Sequence, residues 1–140
     1  MAVKQREDSG LADLKRDLKE TNPRNFYIFY GEETYLLHYY LDQLERKLLD
    51  GPAADFNVHR LAQENFSLEA LRDSLEALPM MAERSYIRVD DVDIFHMGES
   101  DRESLSDMLE DVPDYSCLVF VFETVSFKPD KKQKRFYEAL

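Results

Sequence analysis

Two uninterrupted apolar runs constrain the fold of this chain more than any other feature: FYIFY at residues 26–30 and CLVFVF at residues 117–122. A strand with one face in solvent alternates apolar and polar residues, but neither run does, which is typical of strands covered on both faces. Residues 26–30 are therefore predicted to form a central strand, and residues 117–122 the most buried strand of a sheet.

Helical patterns separate the strand candidates along the chain. Helices are predicted over residues 11–18, over residues 32–50 up to the stop at Gly51, from the N-cap Ser67 to Leu78, over residues 101–111, and from residue 128 to the last residue. The segments FNVHRL at residues 56–61 and SYIRV at residues 85–89 are two further strand candidates. Strands that alternate with helices in this way predict an α/β fold, a parallel sheet with helices on both faces.

Length and charge limit the classes of function. The chain has 140 residues, of which 44% are apolar, so one domain over residues 1–140 is expected, with about residues 1–10 flexible. With 29 acidic and 18 basic residues its formal charge is -11, which repels phosphate, so direct contact with nucleic acid is not expected. The sequence shows neither the apolar segment of a signal peptide nor a run long enough to span a membrane, so a cytoplasmic location is expected.

The loop after the first predicted strand, YGEETYLL, lies where nucleotides bind in many α/β folds. A phosphate loop needs several glycines, a lysine and a hydroxyl residue at fixed spacing, but this loop has only Gly31, and Glu32 and Glu33 would repel phosphate. After the third predicted strand, Asp90 and Asp91 resemble the acids that hold magnesium in nucleotide hydrolases. Without a lysine upstream they are interpreted as solvated loop acids, and a residual nucleotide hydrolase that uses Gly31 and Asp90 is kept as an alternative.

Other chemistry finds no support in the sequence. His38, His59 and His96 lie on different predicted elements without metal-ligand spacing, and DVDIFHMGE departs from the calcium-loop pattern. Cys117 lies inside an apolar run, which predicts a buried, reduced thiol. The basic cluster KKQKR at residues 131–135 is interpreted as the solvated face of the last helix, although it could contact nucleic acid. No catalytic residue, cofactor or metal site is predicted, and the chain is not expected to be an enzyme.

The stretch LEALPMMAERSYIRVDD places two methionines directly after Pro79, on a connector between a predicted helix and a predicted strand. Turn chemistry favours Gly, Asn or Asp at such positions. Met80 and Met81 therefore either turn inward and cap the sheet or face outward as anchors for a partner.

Four segments, in this order and at these separations, resemble the N-terminal domain of the delta subunit of bacterial DNA polymerase III. They are FYIFYGEETYLLHYYLDQL, FNVHRL, SLEALRDSLEALPMMAERSYIRVDDVD and LVFVFETVSFKPDKKQKRFYEAL. Their most specific parts are a strand followed by Gly-Glu-Glu-x-x-Leu-Leu, a Leu-Pro-x-x-x-x-Arg connector, and a strand followed by a Lys-x-Asp-Lys helix.

The resemblance implies a clamp-loader subunit whose first domain, of AAA+ type, has lost its ATP site and binds the sliding clamp (the beta subunit) to hold the ring open. The family's hydrophobic plug then falls on Leu78, Pro79, Met80 and Met81. The family often has a Leu-Phe pair where this chain has Met80 and Met81, so bulk and apolarity are kept but the aromatic ring is lost. Contacts with other clamp-loader subunits would use later domains, and polymerase activity would belong to the parent holoenzyme. The alternative is a generic α/β protein-interaction domain with Met80 and Met81 buried.

Overall fold

The structure is a computed structural model that describes residues 7–20, 23–31, 33–49, 51 and 54–140. Its strands are β1 (Phe26–Tyr30), β2 (Val58–Ala62), β3 (Ser85–Asp90) and β4 (Ser116–Phe122), which form one four-stranded sheet in the order β1-β4-β3-β2. Its helices are α1 (Glu7–Glu20), α2 (Thr34–Leu48), α3 (Leu68–Glu76), α4 (Glu99–Glu110) and α5 (Lys134–Ala139). Every strand pair is parallel, so the predicted α/β fold class is confirmed.

Strand β4 organises both halves of the core, because all seven of its residues are buried. Cys117, Val119 and Val121 pack with leucines of α1 and α2 on one face of the sheet. The alternate residues of β4, Leu118 and Phe120 among them, pack with α3, α4 and α5 on the other face. The continuous apolar run therefore has the cause that the sequence predicted, a strand covered on both faces.

The prediction that residues 26–30 form a central strand is wrong. In the described part of the sheet, β1 pairs with β4 and lies at the edge. Its aromatic residues are covered by neighbouring side chains instead of a second flanking strand. The Phe26 ring meets that of Phe120 edge to face with centroids 5.6 Å apart, and the Tyr30 ring stacks on Phe127 at 4.4 Å.

Several predicted boundaries also differ from the structure, among them those of β2, α3 and α5. Residues 56 and 57 belong to a short 3₁₀ turn (Ala54–Asn57), so β2 begins only at Val58. The last helix begins at Lys134, because the chain turns at residues 131–132, where Asp130 accepts a hydrogen bond from the N–H of Lys132. Helix α3 ends at Glu76, which leaves the predicted helical residue Leu78 outside it.

About residues 1–10 are expected to be flexible. Of these, residues 1–6 lie outside the described residues. From Glu7 onward the backbone is helical. No helix within the described ranges has the length and apolarity that crossing a membrane requires.

Candidate functional site

The candidate site is the segment of residues 77–84, called the connector below, which joins the end of α3 to the start of β3. It lies at the amino edge of the sheet, defined here as the edge where the parallel strands begin. Ligands of open parallel sheets bind at the opposite, carboxyl edge, where the strands end. The connector is therefore on the far side of the sheet from the position of a nucleotide site.

The apolar side chains of the connector face solvent. The exposed fraction is 74% for Leu78, 55% for Met80 and 90% for Met81, whereas Pro79 is half-buried. Of the two orientations left open by the sequence, both methionines therefore face outward, and the alternative in which they are buried is wrong. Three large apolar side chains on one short loop are unusual on the surface of a soluble domain and typical of a partner-binding site.

Polar contacts fix the start of the connector. The Tyr115 hydroxyl donates to the carbonyl of Glu76 at 3.1 Å, and the Ser116 hydroxyl donates to the carbonyl of Leu75 at 2.7 Å. These carbonyls belong to the last turn of α3, where no intrahelical donor is available. The entrance to β4 therefore caps α3 and determines where the connector begins.

The middle of the connector is held by Asn57, which is 2% exposed and comes just before β2. Its Nδ2 donates to the carbonyl oxygen of Met80 at 2.9 Å, and its Oδ1 accepts from the N–H of Met80 at 2.7 Å. Because both bonds use the backbone of Met80, the Met80 side chain can point outward.

The end of the connector is held by Arg84. Its guanidinium donates to the carbonyls of Pro23, Arg24 and Ser116, the last two at 2.9 and 3.2 Å. These carbonyls lie just before β1 and at the start of β4. The arginine of the Leu-Pro-x-x-x-x-Arg pattern therefore ties the connector to the amino edge of the sheet.

Met81 has a left-handed backbone conformation, with φ of 56°. For a residue with a Cβ atom this conformation costs about 1–2 kcal/mol. The turn redirects the chain from α3 toward β3 while the Met81 side chain stays in solvent. An observed backbone outlier at an exposed apolar side chain is a feature that functional loops often show.

Sequence reasoning missed two residues of this region. Phe56 was assigned to a strand, but it lies on the 3₁₀ turn and is 67% exposed. Asn57 was assigned to the same strand, and its role follows only from the contact with Met80. One local signal was present, since an Asn between two apolar residues at the start of a strand is a position where side-chain to backbone hydrogen bonds compete with the ladder.

The carboxyl edge is closed by contacts of the chain with itself. Asp91 has φ of 50°, and its Oδ1 accepts from the N–H groups of Glu123, Thr124 and Val125 at 2.7, 2.9 and 3.2 Å. Asp90 pairs with Arg88 at 2.8 Å. The interpretation of both residues as solvated loop acids is wrong, because both carboxylates have partners within the fold.

The other titratable residues singled out in the sequence are dispersed. His38 pairs with Glu123 at 3.0 Å, and burial lowers the pKa of His59. His96 Nδ1 lies 2.5 Å from a carboxylate oxygen of Asp93. Within the described ranges, no group of three or more His, Cys, Asp and Glu side chains is placed to hold a metal ion.

The prediction of a buried thiol at Cys117 is confirmed, whereas the interpretation of residues 131–135 as a helical face is partly wrong. Cys117 is buried and reduced as predicted, and burial raises the pKa of its thiol to about 12. In the basic cluster, exposed Lys131 and Lys132 lie in a turn, so their assignment to a helical face is wrong. Arg135 lies on α5 and pairs with Glu110 at 2.9 Å.

Fold and site together define a class of protein: a parallel α/β domain whose sequence lacks a phosphate loop and whose amino edge carries an exposed apolar connector. Several solved structures share the fold, among them the following two. The Bacillus subtilis DNA clamp loader delta protein has a TM-score of 0.72 at 23% identity, over 92% of this chain and 40% of that chain. A DNA polymerase III gamma subunit-related protein from Thermotoga maritima has a TM-score of 0.54 at 18% identity, over 89% of this chain and 48% of that chain.

Sequence comparison defines the family. The family model described as DNA polymerase III, delta subunit, matches residues 27–139. The DNA polymerase III subunit delta of Bacillus subtilis strain 168 is 27% identical over 127 residues, which are 87% of this chain and 36% of that protein. The chain belongs to the DNA polymerase III delta subunit family, and it spans little more than a third of the length of this relative.

Proposed function

We propose that this chain is the clamp-binding part of a clamp-loader delta subunit and that its connector inserts into an apolar pocket of the sliding clamp. The observation that carries the proposal is the exposure of Leu78, Met80 and Met81 on a loop whose start, middle and end are all fixed by polar contacts. An unfixed loop of this composition would fold back onto the protein surface to bury its side chains.

The energetics favour such a contact. Burial of one large apolar side chain contributes about 1.5–3 kcal/mol. The connector is already ordered, so less conformational entropy is lost on binding than for a flexible loop. A few central anchors of this kind supply most of the binding free energy of many protein interfaces.

Met80 and Met81 supply the bulk that a plug needs without an aromatic ring. Unbranched methionine side chains adapt to a preformed apolar pocket and contact aromatic side chains of a partner through sulfur. The exposed Phe56 lies on the same 3₁₀ turn as Asn57, and Asn57 is hydrogen-bonded to Met80. An exposed aromatic side chain is therefore next in sequence to a residue that holds the connector, outside the position where the family often carries one.

Ring opening needs no catalysis by this chain. A ligand that binds the open form of a ring more tightly than the closed form shifts the equilibrium toward the open form by its differential affinity. Other clamp-loader subunits would then control access to this surface. The formal charge of -11 suits recruitment through protein contacts, with DNA held by other parts of the assembly.

A second exposed apolar group lies on α2, near the carboxyl edge. It consists of Tyr35, Leu36 and Tyr39. If this domain binds its partner through a different surface, this group is the competing candidate.

The test is isothermal titration calorimetry of the 140-residue chain with the sliding clamp of the same organism. The double variant Met80→Ala/Met81→Ala is expected to bind about 100-fold more weakly, because two anchors are truncated. Tyr35→Ala, which truncates an equally exposed side chain on α2, should bind like the parent. Circular dichroism should show that both variants are folded. If the parent does not bind, or if the double variant binds unchanged, the proposal is wrong.

A further inference from the structure

We infer that Asn57 is a positioning residue of the connector: its side-chain amide fixes the backbone of Met80 so that Met80 and Met81 are presented to the partner in one conformation. The effect on clamp binding rests on the proposed function, whereas the fixing of the loop does not. Asn57 and Met80 are 23 residues apart and belong to different elements.

The side-chain amide of Asn57 both donates a hydrogen bond to the backbone of Met80 and accepts one from it. The N–H of Met80 donates to Oδ1 and its carbonyl accepts from Nδ2, at 2.7 and 2.9 Å. A carboxamide presents a donor and an acceptor side by side, as a paired strand does. Hydroxyl groups and ionised carboxylates cannot make both bonds from two separate atoms in this way.

These two hydrogen bonds determine the conformation of the connector because Asn57 is buried. Asn57 is 2% exposed, and a buried amide that loses its partners costs more free energy than a surface hydrogen bond supplies. The fold therefore favours the connector conformation in which Met80 completes the pair, over conformations in which the loop moves away.

The position of the bonds explains the exposure of the two methionines. The bond to the Met80 carbonyl fixes the peptide plane between Met80 and Met81. Met81, with φ of 56°, begins directly after this plane. Asn57 therefore holds the connector at the step where the backbone adopts its unfavourable left-handed turn.

Removal of the Asn57 amide leaves the side chains of Met80 and Met81 unchanged but should let the connector sample other conformations. When only a fraction of molecules is competent to bind, the apparent dissociation constant rises by the inverse of that fraction. Asn57→Ala is therefore expected to weaken clamp binding by about tenfold, mainly by slowing association, with the methionines unchanged.

Asn57→Asp provides a pH-dependent rescue. In this variant an ionised carboxylate could accept from the Met80 N–H but could not donate to its carbonyl, whereas a protonated carboxyl group could do both. Burial raises the pKa of a carboxyl group, so binding by Asn57→Asp is expected to recover as the pH falls from about 8 to about 5.5. The parent and Asn57→Ala are measured over the same range, so that titration of Asp55, His59, Glu83 or the clamp is accounted for.

A second measurement does not involve the clamp. In the isolated chain, hydrogen exchange of the Met80 amide, followed by NMR, is expected to be slow in the parent and at least about tenfold faster in Asn57→Ala. Amides of β4 should stay protected in the variant, which shows that the fold is retained. A merely structural role of Asn57 would instead accelerate exchange throughout the sheet, including the amides of β4.

The outcomes separate the two proposals. Faster exchange at Met80, weaker binding and pH-dependent rescue support the inference. Unchanged exchange at Met80, or unchanged clamp binding by a folded Asn57→Ala, overturns it. If the parent does not bind the clamp, the proposed function fails, and the Met80 amide then decides whether Asn57 fixes the connector.

Discussion

The loops at the two edges of the sheet differ in which of their groups are hydrogen-bonded and which remain exposed. At the carboxyl edge, Asp91 accepts hydrogen bonds from three successive N–H groups after β4, so the loop ends are occupied with one another. At the amino edge, Asn57 binds the backbone of Met80, and Arg84 binds carbonyls just before β1 and at the start of β4. The apolar side chains there remain in solvent.

The difference lies in which groups at each edge remain exposed. The carboxyl edge retains the geometry of a ligand-binding edge, but its polar groups satisfy the protein itself. At the amino edge, the side chains of Asn57 and Arg84 bind backbone atoms, and the apolar side chains of the connector stay exposed. The following predictions test this contrast, from the largest expected effect on stability to the smallest.

Asp91→Ala should lower the free energy of unfolding by about 3 kcal/mol, because three N–H groups lose a charged acceptor and alanine disfavours the left-handed conformation. Urea unfolding measures this change. Asp91→Asn keeps an acceptor oxygen and tolerates a positive φ, so its loss should be smaller. Clamp binding by folded Asp91→Ala should equal that of the parent, and a large loss of affinity would contradict the independence of the two edges.

Arg84→Lys should lower the free energy of unfolding by about 2 kcal/mol, because an ammonium group cannot reach the three carbonyls that the guanidinium fork binds. Unlike Asp91→Ala, this variant should also bind the clamp more weakly, because the end of the connector is released. The matched control is Arg16→Lys, at an exposed arginine paired with Asp13, which should change neither quantity. Equal behaviour of the two variants would mean that Arg84 does not hold the connector.

Ser67→Ala should lower the free energy of unfolding by about 1 kcal/mol, because the N-cap oxygen that accepts from the N–H of Ala70 is lost. Ser67 begins α3 near the carboxyl edge, whereas the connector follows the other end of the helix. Clamp affinity should therefore be unchanged, and Ser67→Asp should retain the parent stability in thermal unfolding. A loss of affinity in folded Ser67→Ala would show that fraying of α3 reaches the connector.

Met81→Gly should leave the free energy of unfolding unchanged or raise it by up to about 1 kcal/mol, because glycine adopts a positive φ without a steric penalty. The same variant should bind the clamp at least about tenfold more weakly, because it lacks an anchor. Met81→Ala, which keeps the backbone penalty, provides the comparison in both unfolding and titration experiments. A Met81→Gly variant that is both less stable and fully able to bind the clamp would show that Met81 contributes to stability and not to clamp binding.

The features that sequence reasoning located well depend on local spacing. The α/β class follows from apolar periodicities that alternate between strand and helix, and the Ser67 cap follows from a side chain that reaches the backbone three residues away. Local spacing leaves the exposure of the methionines open, and only the resemblance of the proline connector to that of the family favours it.

Other features escaped sequence reasoning because they depend on distant partners. The edge position of β1 is invisible in its apolar run, since helices and loops can cover a strand as well as neighbouring strands can. The partners of Asp91 cannot be read from its local sequence, because its three donors follow β4, more than thirty residues further along the chain.

The sequence by itself determined the order of helices and strands, the buried character of β4, and the apolar chemistry of Leu78, Met80 and Met81. Tertiary structure decided that this apolar chemistry faces solvent, because Asn57, Arg84 and Ser116 meet the connector and its flanks only after the parallel strands align. Hydrophobic burial favours any apolar residue moving inward, but it has no direction. Hydrogen bonds to fixed backbone atoms have direction, and they hold these side chains outside.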